Sequence, residues 1–276
     1  QKDSNENEYE VLVVDNGSQI PIEETFVKSF GANFHLIRFN PSPSPAASIN
    51  KAVSMSRGNL VMICIDGARM LSPGIIDVTL RAFKAFDNPL VATVAYHLGP
   101  KIQKVSITEG YNQETEDLLL EKIDWKTNGY ELFTISVLAG SSSNGWFLPL
   151  SESSCLSLYK TEYNKLNGYC ESFKTPGGGL VNLDFYKRAC ENTDNLVILL
   201  SEGTFHQVHG GVATNAPPNR HPGLIFKNEY RQIREKDFTP PTQESIIFGK
   251  LPKESIPFLN YSVERLIEFE NRNNQN

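Results

Sequence analysis

Two aspartates close short apolar runs in the first quarter of the sequence. Asp15 follows the run from Glu10 to Val14, and Asp66 follows Leu60 to Ile65. Such runs read as strands buried on both faces of a parallel sheet. A carboxylate at the end of such a strand can accept hydrogen bonds from a base or a ribose. It can also hold Mg²⁺ or Mn²⁺ and, through the ion, a diphosphate. The alternative for each is a turn residue, since Asp15-Asn16-Gly17-Ser18 and Asp66-Gly67 are turn chemistry. Two of them on one sheet edge are harder to dismiss than either alone.

Two further groups carry chemistry by type and spacing. Pro176-Gly177-Gly178-Gly179 precedes a helical stretch. Its backbone N–H groups are candidates to meet an anion, or the loop is simply flexible. His206 and His209 follow a predicted strand and precede Gly210-Gly211; they read either as a pair that acts together or as one structural and one surface histidine. Residues i and i+3 face opposite ways on a strand, so both act together only if the chain turns there. His35, His97 and His221 read as structural.

The elements that position these groups alternate. Strands are predicted over Glu10–Val14, Phe34–Phe39, Leu60–Ile65 and Leu90–His97. Helices are predicted over Glu23–Phe30, Ala46–Ser56 and Ile75–Phe86, the last opened by Ser72-Pro73. Asn40 to Pro45 alternates proline with serine and must be an extended loop. Alternation of this kind implies a doubly wound parallel sheet, whose ligands lie beyond the carboxyl ends of the strands. Later in the chain the pattern predicts a helix over Gln113–Trp125, strands over Leu132–Leu138 and Leu196–Leu200, and helices over Thr161–Leu166, Leu180–Cys190 and Val263–Asn271. After Pro217-Pro218 the chain turns polar.

Composition sets outer bounds. The 276 residues are 39% hydrophobic with a net charge of −6, which gives no general attraction to nucleic acid or an anionic membrane. The four cysteines form no CxxC pair, a usage that suits a reducing cytoplasm. No apolar stretch approaches a transmembrane span, and the polar amino terminus does not read as a signal peptide.

Val13-Val14-Asp15-Asn16-Gly17-Ser18 resembles the second-strand signature of family 2 glycosyltransferases, which have the GT-A fold. Asn50, Gly58, the strand ending at Asp66, and Pro73 follow in the order that family uses. Leu166-Asn-Gly-Tyr-Cys-Glu-Ser-Phe173 is similar to its acceptor-side Gly-Gly-Phe-Asp-Glu-x-Phe segment. Val181-Asn-Leu-Asp-Phe-Tyr-Lys-Arg188 has the spacing of its Glu-Asp-x-Asp-x-x-x-Arg helix. The resemblance spans roughly residues 9 to 215. It implies a GT-A-like domain over residues 1–225, with a nucleotide-binding half at 9–105 and an acceptor half at 106–225. Residues 226–276 would form a C-terminal extension.

The implied reaction moves a sugar from a nucleoside diphosphate-sugar to a hydroxyl of a saccharide, lipid or small molecule, with inversion and with Mn²⁺ or Mg²⁺. Asp15, Asn16, Asp66 and Gly67 would hold the donor, and Asp66 with His206 or His209 the metal. Gly177, Gly178, Gly179 and Glu171 would shape the acceptor or diphosphate pocket, and Trp146 and Phe147 could stack on an acceptor sugar or pack in the core. Three features depart from the family. Its opening strand would precede residue 9, so either the sequence is cut there or the sheet is completed differently. Its Asp-x-Asp motif reads Asp66-Gly67-Ala68, and Asn182 stands where the usual catalytic aspartate would. Asn182 can orient a hydroxyl but cannot take its proton. The base candidates are then Asp184, two residues along a helix and turned by about 200°, followed by Glu171 and Glu152. The departures leave open a binding domain without transfer activity. A nucleotidyltransferase would need a basic glycine-rich phosphate loop near the amino terminus, and none is visible.

Overall fold

The computed structural model describes residues 1–65, 68–211, 216 and 220–274. Two sheets carry the chain. Strands β1 (Val11–Asp15) and β2 (Phe34–Arg38) pair in parallel as a small sheet of their own. The large sheet contains β3 (Leu60–Cys64), β4 (Arg69–Leu71), β5 (Leu90–Leu98), β6 (Ser136–Leu138), β7 (Cys155–Tyr159), β8 (Leu196–His206) and β9 (Ile246–Gly249). Its main path runs β3-β7-β5-β8-β4, with β6 beside β5 and β9 beside β8. β5, β8 and β9 run parallel, and β3 joins their direction through the antiparallel β7. β4 and β6 run the other way.

The α/β class therefore stands, with one direction predominating. The single doubly wound sheet is corrected: Asp15 closes the small sheet and the strand before Asp66 lies at the edge of the large one. Glu10, just before β1, accepts the N–H and the Nε–H of Arg57, just before β3, at 2.5 and 2.8 Å. This ties the starts of the two strands together. Asp66 and Gly67 lie outside the described residues.

Helices cover the sheet faces. α1 (Glu24–Lys28) and α2 (Ala46–Met55) belong to the amino-terminal part, α2 packing on β1. α3 (Ile75–Ala85) buries Ile75, Val78, Thr79, Ala82 and Phe83, the face expected of an amphipathic helix. The short α4 (Gln103–Ser106) and α5 (Gln113–Leu120) follow β5. Asn112 caps α5 by accepting from Thr115 N–H, and the helix stops short of the predicted Trp125. α6 (Lys160–Lys165), α7 (Val181–Cys190), α8 (Gly223–Arg234) and α9 (Ile256–Asn273) complete the set.

Several elements escaped the sequence pattern. The predicted strand at Leu132–Leu138 is a 3₁₀ coil over Gly129–Ile135 followed by β6. Asn128 starts that coil by accepting from Tyr130 N–H, and Leu132 and Phe133 turn into the core. β7, β9 and α8 are also absent from the elements the sequence pattern marked. β8 runs six residues past the predicted Leu200, so His206 is its last residue. A bulge in β8, with Ser201 at φ 57°, turns Glu202 inward. There Glu202 accepts from Ser72 Oγ–H, Gly74 N–H and Tyr130 Oη–H, which anchors the start of α3. Burial pushes this carboxyl's pKa up, and those three donors oppose the shift.

Candidate functional site

Asp15 is almost fully buried, and its Oδ1 accepts the N–H groups of Gly17 and Ser18 at 3.1 and 2.8 Å. The Ser18 N–H leads in holding this carboxyl below the usual carboxylate range, against the opposing effect of burial. The turn reading is realised, and it gives β1 a rigid carboxyl-terminal corner. Gly17 sits at φ +87°, and a Cβ there would lie 2.5 Å from Pro41 Cα, so only glycine fits. Asn16 donates to Ser42 carbonyl at 2.8 Å and accepts the Ser48 hydroxyl. It thereby pins the Pro/Ser loop against α2.

That loop meets the glycine segment. Gly177 N–H donates to Pro43 carbonyl at 2.9 Å and Gly178 N–H to Thr175 carbonyl at 2.8 Å. Two of the loop's three glycine N–H groups are therefore engaged within the protein. Glu229 of α8 fixes its entry by accepting Lys174 and Thr175 N–H at 2.7 and 2.8 Å, together with the Thr175 hydroxyl.

The acceptor-side segment is tied to α2 by Asn50. Its Oδ1 accepts Tyr169 N–H and the Tyr163 hydroxyl, and its Nδ2 donates to Tyr169 carbonyl and to Glu171 at 2.8 Å. Glu171 is exposed. Asn182, at the first turn of α7, donates through Nδ2 to Glu152 Oε2 at 3.0 Å and to Ser153 carbonyl at 3.2 Å. The Tyr169 hydroxyl reaches Asn182 Oδ1 at 3.4 Å, which fixes the amide's orientation.

Asp184 does not serve as the sequence suggested. It is 1% exposed, and its oxygens accept from Arg188 Nε at 2.9 Å and from Arg234 Nε and Nη2 at 2.6 and 2.7 Å. Two guanidinium groups and burial leave this carboxylate no approach to an acceptor hydroxyl. Trp146 is buried in the main core and Phe147 packs against it, so the core reading holds for both.

The histidines converge at the end of β8. Arg69 of β4 pairs with His206, and Gln207 N–H donates to Ala68 carbonyl at 2.8 Å, which sets Ala68 beside this strand end. The chain turns here because Glu116 of α5 accepts Val208 N–H at 2.9 Å and 3.1 Å. Burial raises the Glu116 pKa, and the Val208 N–H and Tyr111 hydroxyl oppose that rise. The turn brings His206 Nε2 and His209 Nε2 to 3.1 Å.

Gln103 settles the tautomer of His206. Its Nε2 donates to His206 carbonyl at 2.8 Å, so its Oε1, in contact with His206 Nδ1, must accept that nitrogen's proton. His206 Nε2 then carries the lone pair. Two nitrogens about 2.1 Å from a common ion lie roughly 3.0 to 3.4 Å apart at octahedral or tetrahedral angles, so the observed spacing fits a shared ion. Among the described residues no three His, Cys, Asp or Glu side chains cluster as a metal site. Asp66, the carboxylate that the sequence offered as a ligand, lies outside them. The sequence did not single out Gln103 or Glu116. Both act on the site from helices far away in the chain, and nothing local marks them.

No protein-family model matches the chain, and no curated protein matches it in sequence. Among solved structures it is similar to S. aureus TarS 1-349, at 12% identity and a TM-score of 0.52, over 98% of this chain and 66% of that one. It is also similar to GalNAc-T7 solved with UDP, GalNAc and Mn²⁺, at 8% identity and a TM-score of 0.50, over 82% of this chain and 41% of that one. This chain thus spans less than two thirds of either. The strand order, the helical flanks and these likenesses show a GT-A-type glycosyltransferase fold.

Proposed function

We propose that the protein transfers a sugar from a nucleoside diphosphate-sugar to a hydroxyl of a saccharide, lipid or small-molecule acceptor, with inversion. The observation that carries this reading is the pairing of Asn182 with Glu152 at 3.0 Å. The helix that lacks the customary carboxylate instead brings a neighbouring one to its first turn. The donor would lie against the corner formed by Asp15, Asn16 and Gly17, and the glycine loop, held to the Pro/Ser loop through Gly177, would wall the acceptor side. Glu152, oriented by Asn182, takes the acceptor proton as that oxygen attacks the anomeric carbon opposite the diphosphate. His206 and His209 with Asp66 would hold the ion, whose positive charge stabilises the departing nucleoside diphosphate. A mixed imidazole–carboxylate set suits Mn²⁺ better than Mg²⁺, which keeps oxygen-rich octahedral shells. Four free thiols and no disulfide fit a cytoplasmic setting.

Glu152→Gln is expected to lower kcat by about 10²- to 10⁴-fold with donor affinity by calorimetry unchanged. Unaltered turnover would remove Glu152 as the base and pass the role to Glu171. Asp66→Ala is expected to reduce metal-dependent turnover sharply, and an unaffected variant would contradict the metal assignment.

A second reading rests on Ala68, whose side chain offers no ligand, and on Asn182. Both departures would suit a domain that binds a nucleotide sugar without transferring it. A donor-hydrolysis assay alongside calorimetry with nucleotide and Mn²⁺ separates the two, because clear hydrolysis is incompatible with binding alone.

A further inference from the structure

Cys64 and Cys155 face each other across β3 and β7 in register. Ile65 N–H donates to Ser154 carbonyl at 2.9 Å, and Lys160 N–H to Asn59 carbonyl at 2.8 Å. Those bonds flank the Cys64/Cys155 and Leu60/Tyr159 pairs, so both are non-hydrogen-bonded pairs of the antiparallel ladder. Opposed Cα atoms in such pairs are about 4.5 Å apart, the side chains lie on one face, and the spacing falls inside the range a disulfide spans. The thiols are in hydrogen-bonding contact with each other. Cys64 is exposed and Cys155 is 2% exposed.

We propose that Cys64 and Cys155 form an oxidisable cross-strand dithiol, with Cys64 as the thiol an oxidant meets and Cys155 as the resolving thiol. With hydrogen peroxide as oxidant, Cys64 sulfur attacks one peroxide oxygen, the O–O bond breaks, and a sulfenic acid and one water result. Cys155 sulfur then attacks the sulfenic sulfur, its S–H proton leaves with the hydroxyl as a second water, and the S–S bond forms. The two sulfurs together lose two electrons, which reduce the peroxide to water. The second step needs only contact between partners that the ladder already holds together.

The position gives the bond a consequence, which rests on the transferase reading above. β3 leads within two residues to Asp66, and Glu152 stands three residues before Cys155. A covalent tie between the strands therefore fixes their spacing midway between the proposed metal ligand and the proposed base.

The test treats the full-length chain with a small excess of hydrogen peroxide, alkylates remaining thiols, digests, and identifies linked peptides by mass. The expected product is a Cys64–Cys155 peptide pair that dithiothreitol resolves, absent from Cys64→Ser and retained in Cys170→Ser. Peroxide that leaves Cys64 over-oxidised or alkylated with no such link overturns the dithiol. Turnover of the oxidised protein is expected to fall by up to about 10²-fold, the scale on which misplacements of about 1 Å act, and to return on reduction. A fully linked protein with undiminished turnover overturns the catalytic consequence. A linked protein whose reduced form also lacks transfer activity upholds the dithiol and overturns the transferase reading instead.

Discussion

His97 accepts the Gln103 backbone N–H through Nδ1 at 2.9 Å, beneath the His206 ring. Burial first, then electrostatic interaction with His206, Arg69 and Lys104, pushes its pKa down from 6.5 to about 3. Between those values the unfolded chain binds a proton that the folded chain refuses. This contribution to stability is therefore complete above pH 6.5 and is lost progressively as pH falls toward 3. From pH 7 to pH 5 the loss is expected to be about 2 kcal/mol. His97→Asn, which keeps an acceptor for Gln103 N–H without titrating, is expected to flatten that slope in urea unfolding; an unchanged slope would assign the pH dependence elsewhere. Asp184 is the other residue whose role is decided by its partners. Asp184→Asn leaves Arg188 and Arg234 without their buried counter-charge, and a loss of about 3 kcal/mol is expected. A variant that unfolds at the wild-type urea midpoint would show that the ion triad does not hold α7 to α8.

Between elements, three connections build the proposed acceptor wall: Asn50 joins α2 to residues 163–171, Pro43 joins the Pro/Ser loop to Gly177, and Glu229 joins α8 to Thr175. Gly178 is the point of least tolerance. Its φ is +83°, and a Cβ would come to 2.7 Å from Val181 Cγ1 and 2.9 Å from Pro45 Cδ. Gly178→Ala is expected to cost about 1–3 kcal/mol and to raise the KM for acceptor while donor affinity holds. Equal effects on donor and acceptor would place this loop elsewhere in the reaction. The glycine run was visible in the sequence, but its attachment to the Pro/Ser loop was not. Gly177 N–H meets Pro43 carbonyl only once the chain has folded.

The whole molecule closes around its carboxyl-terminal part. Phe258 of α9 packs edge-on to Tyr96 and close to Phe133, within a cluster that includes Phe205. Trp146 N–H donates to Ser262 Oγ at 3.1 Å, and β9 extends the sheet beside β8. Aromatic pairs of this kind contribute about 0.5–1.5 kcal/mol each beyond their burial. A chain ending at residue 250 is therefore expected to lose cooperative unfolding, followed by thermal denaturation. Retention of the full-length midpoint would show that residues 251–276 are an independent appendage. No described helix is long and apolar enough to cross a membrane.

Period and punctuation in the sequence determined β1, β2, β3, β5 and the helices α2 and α3, because an apolar run or an amphipathic repeat is a local property. Sequence order also carried the GT-A-type resemblance. β7, β8 beyond Leu200 and β9 were decided by tertiary structure, since their residues become strand only where a neighbour supplies a ladder. The site divides along the same line. Asp15 was legible because a strand-end aspartate before Asn-Gly is local chemistry. Glu152 as the partner of Asn182, Asp184 as the partner of two arginines, the Gln103 and Glu116 supports of the histidine turn, and the facing of Cys64 with Cys155 join residues remote in sequence. Hydrogen-bond geometry and burial act only on atoms already brought together, and no spacing along the chain encodes that meeting.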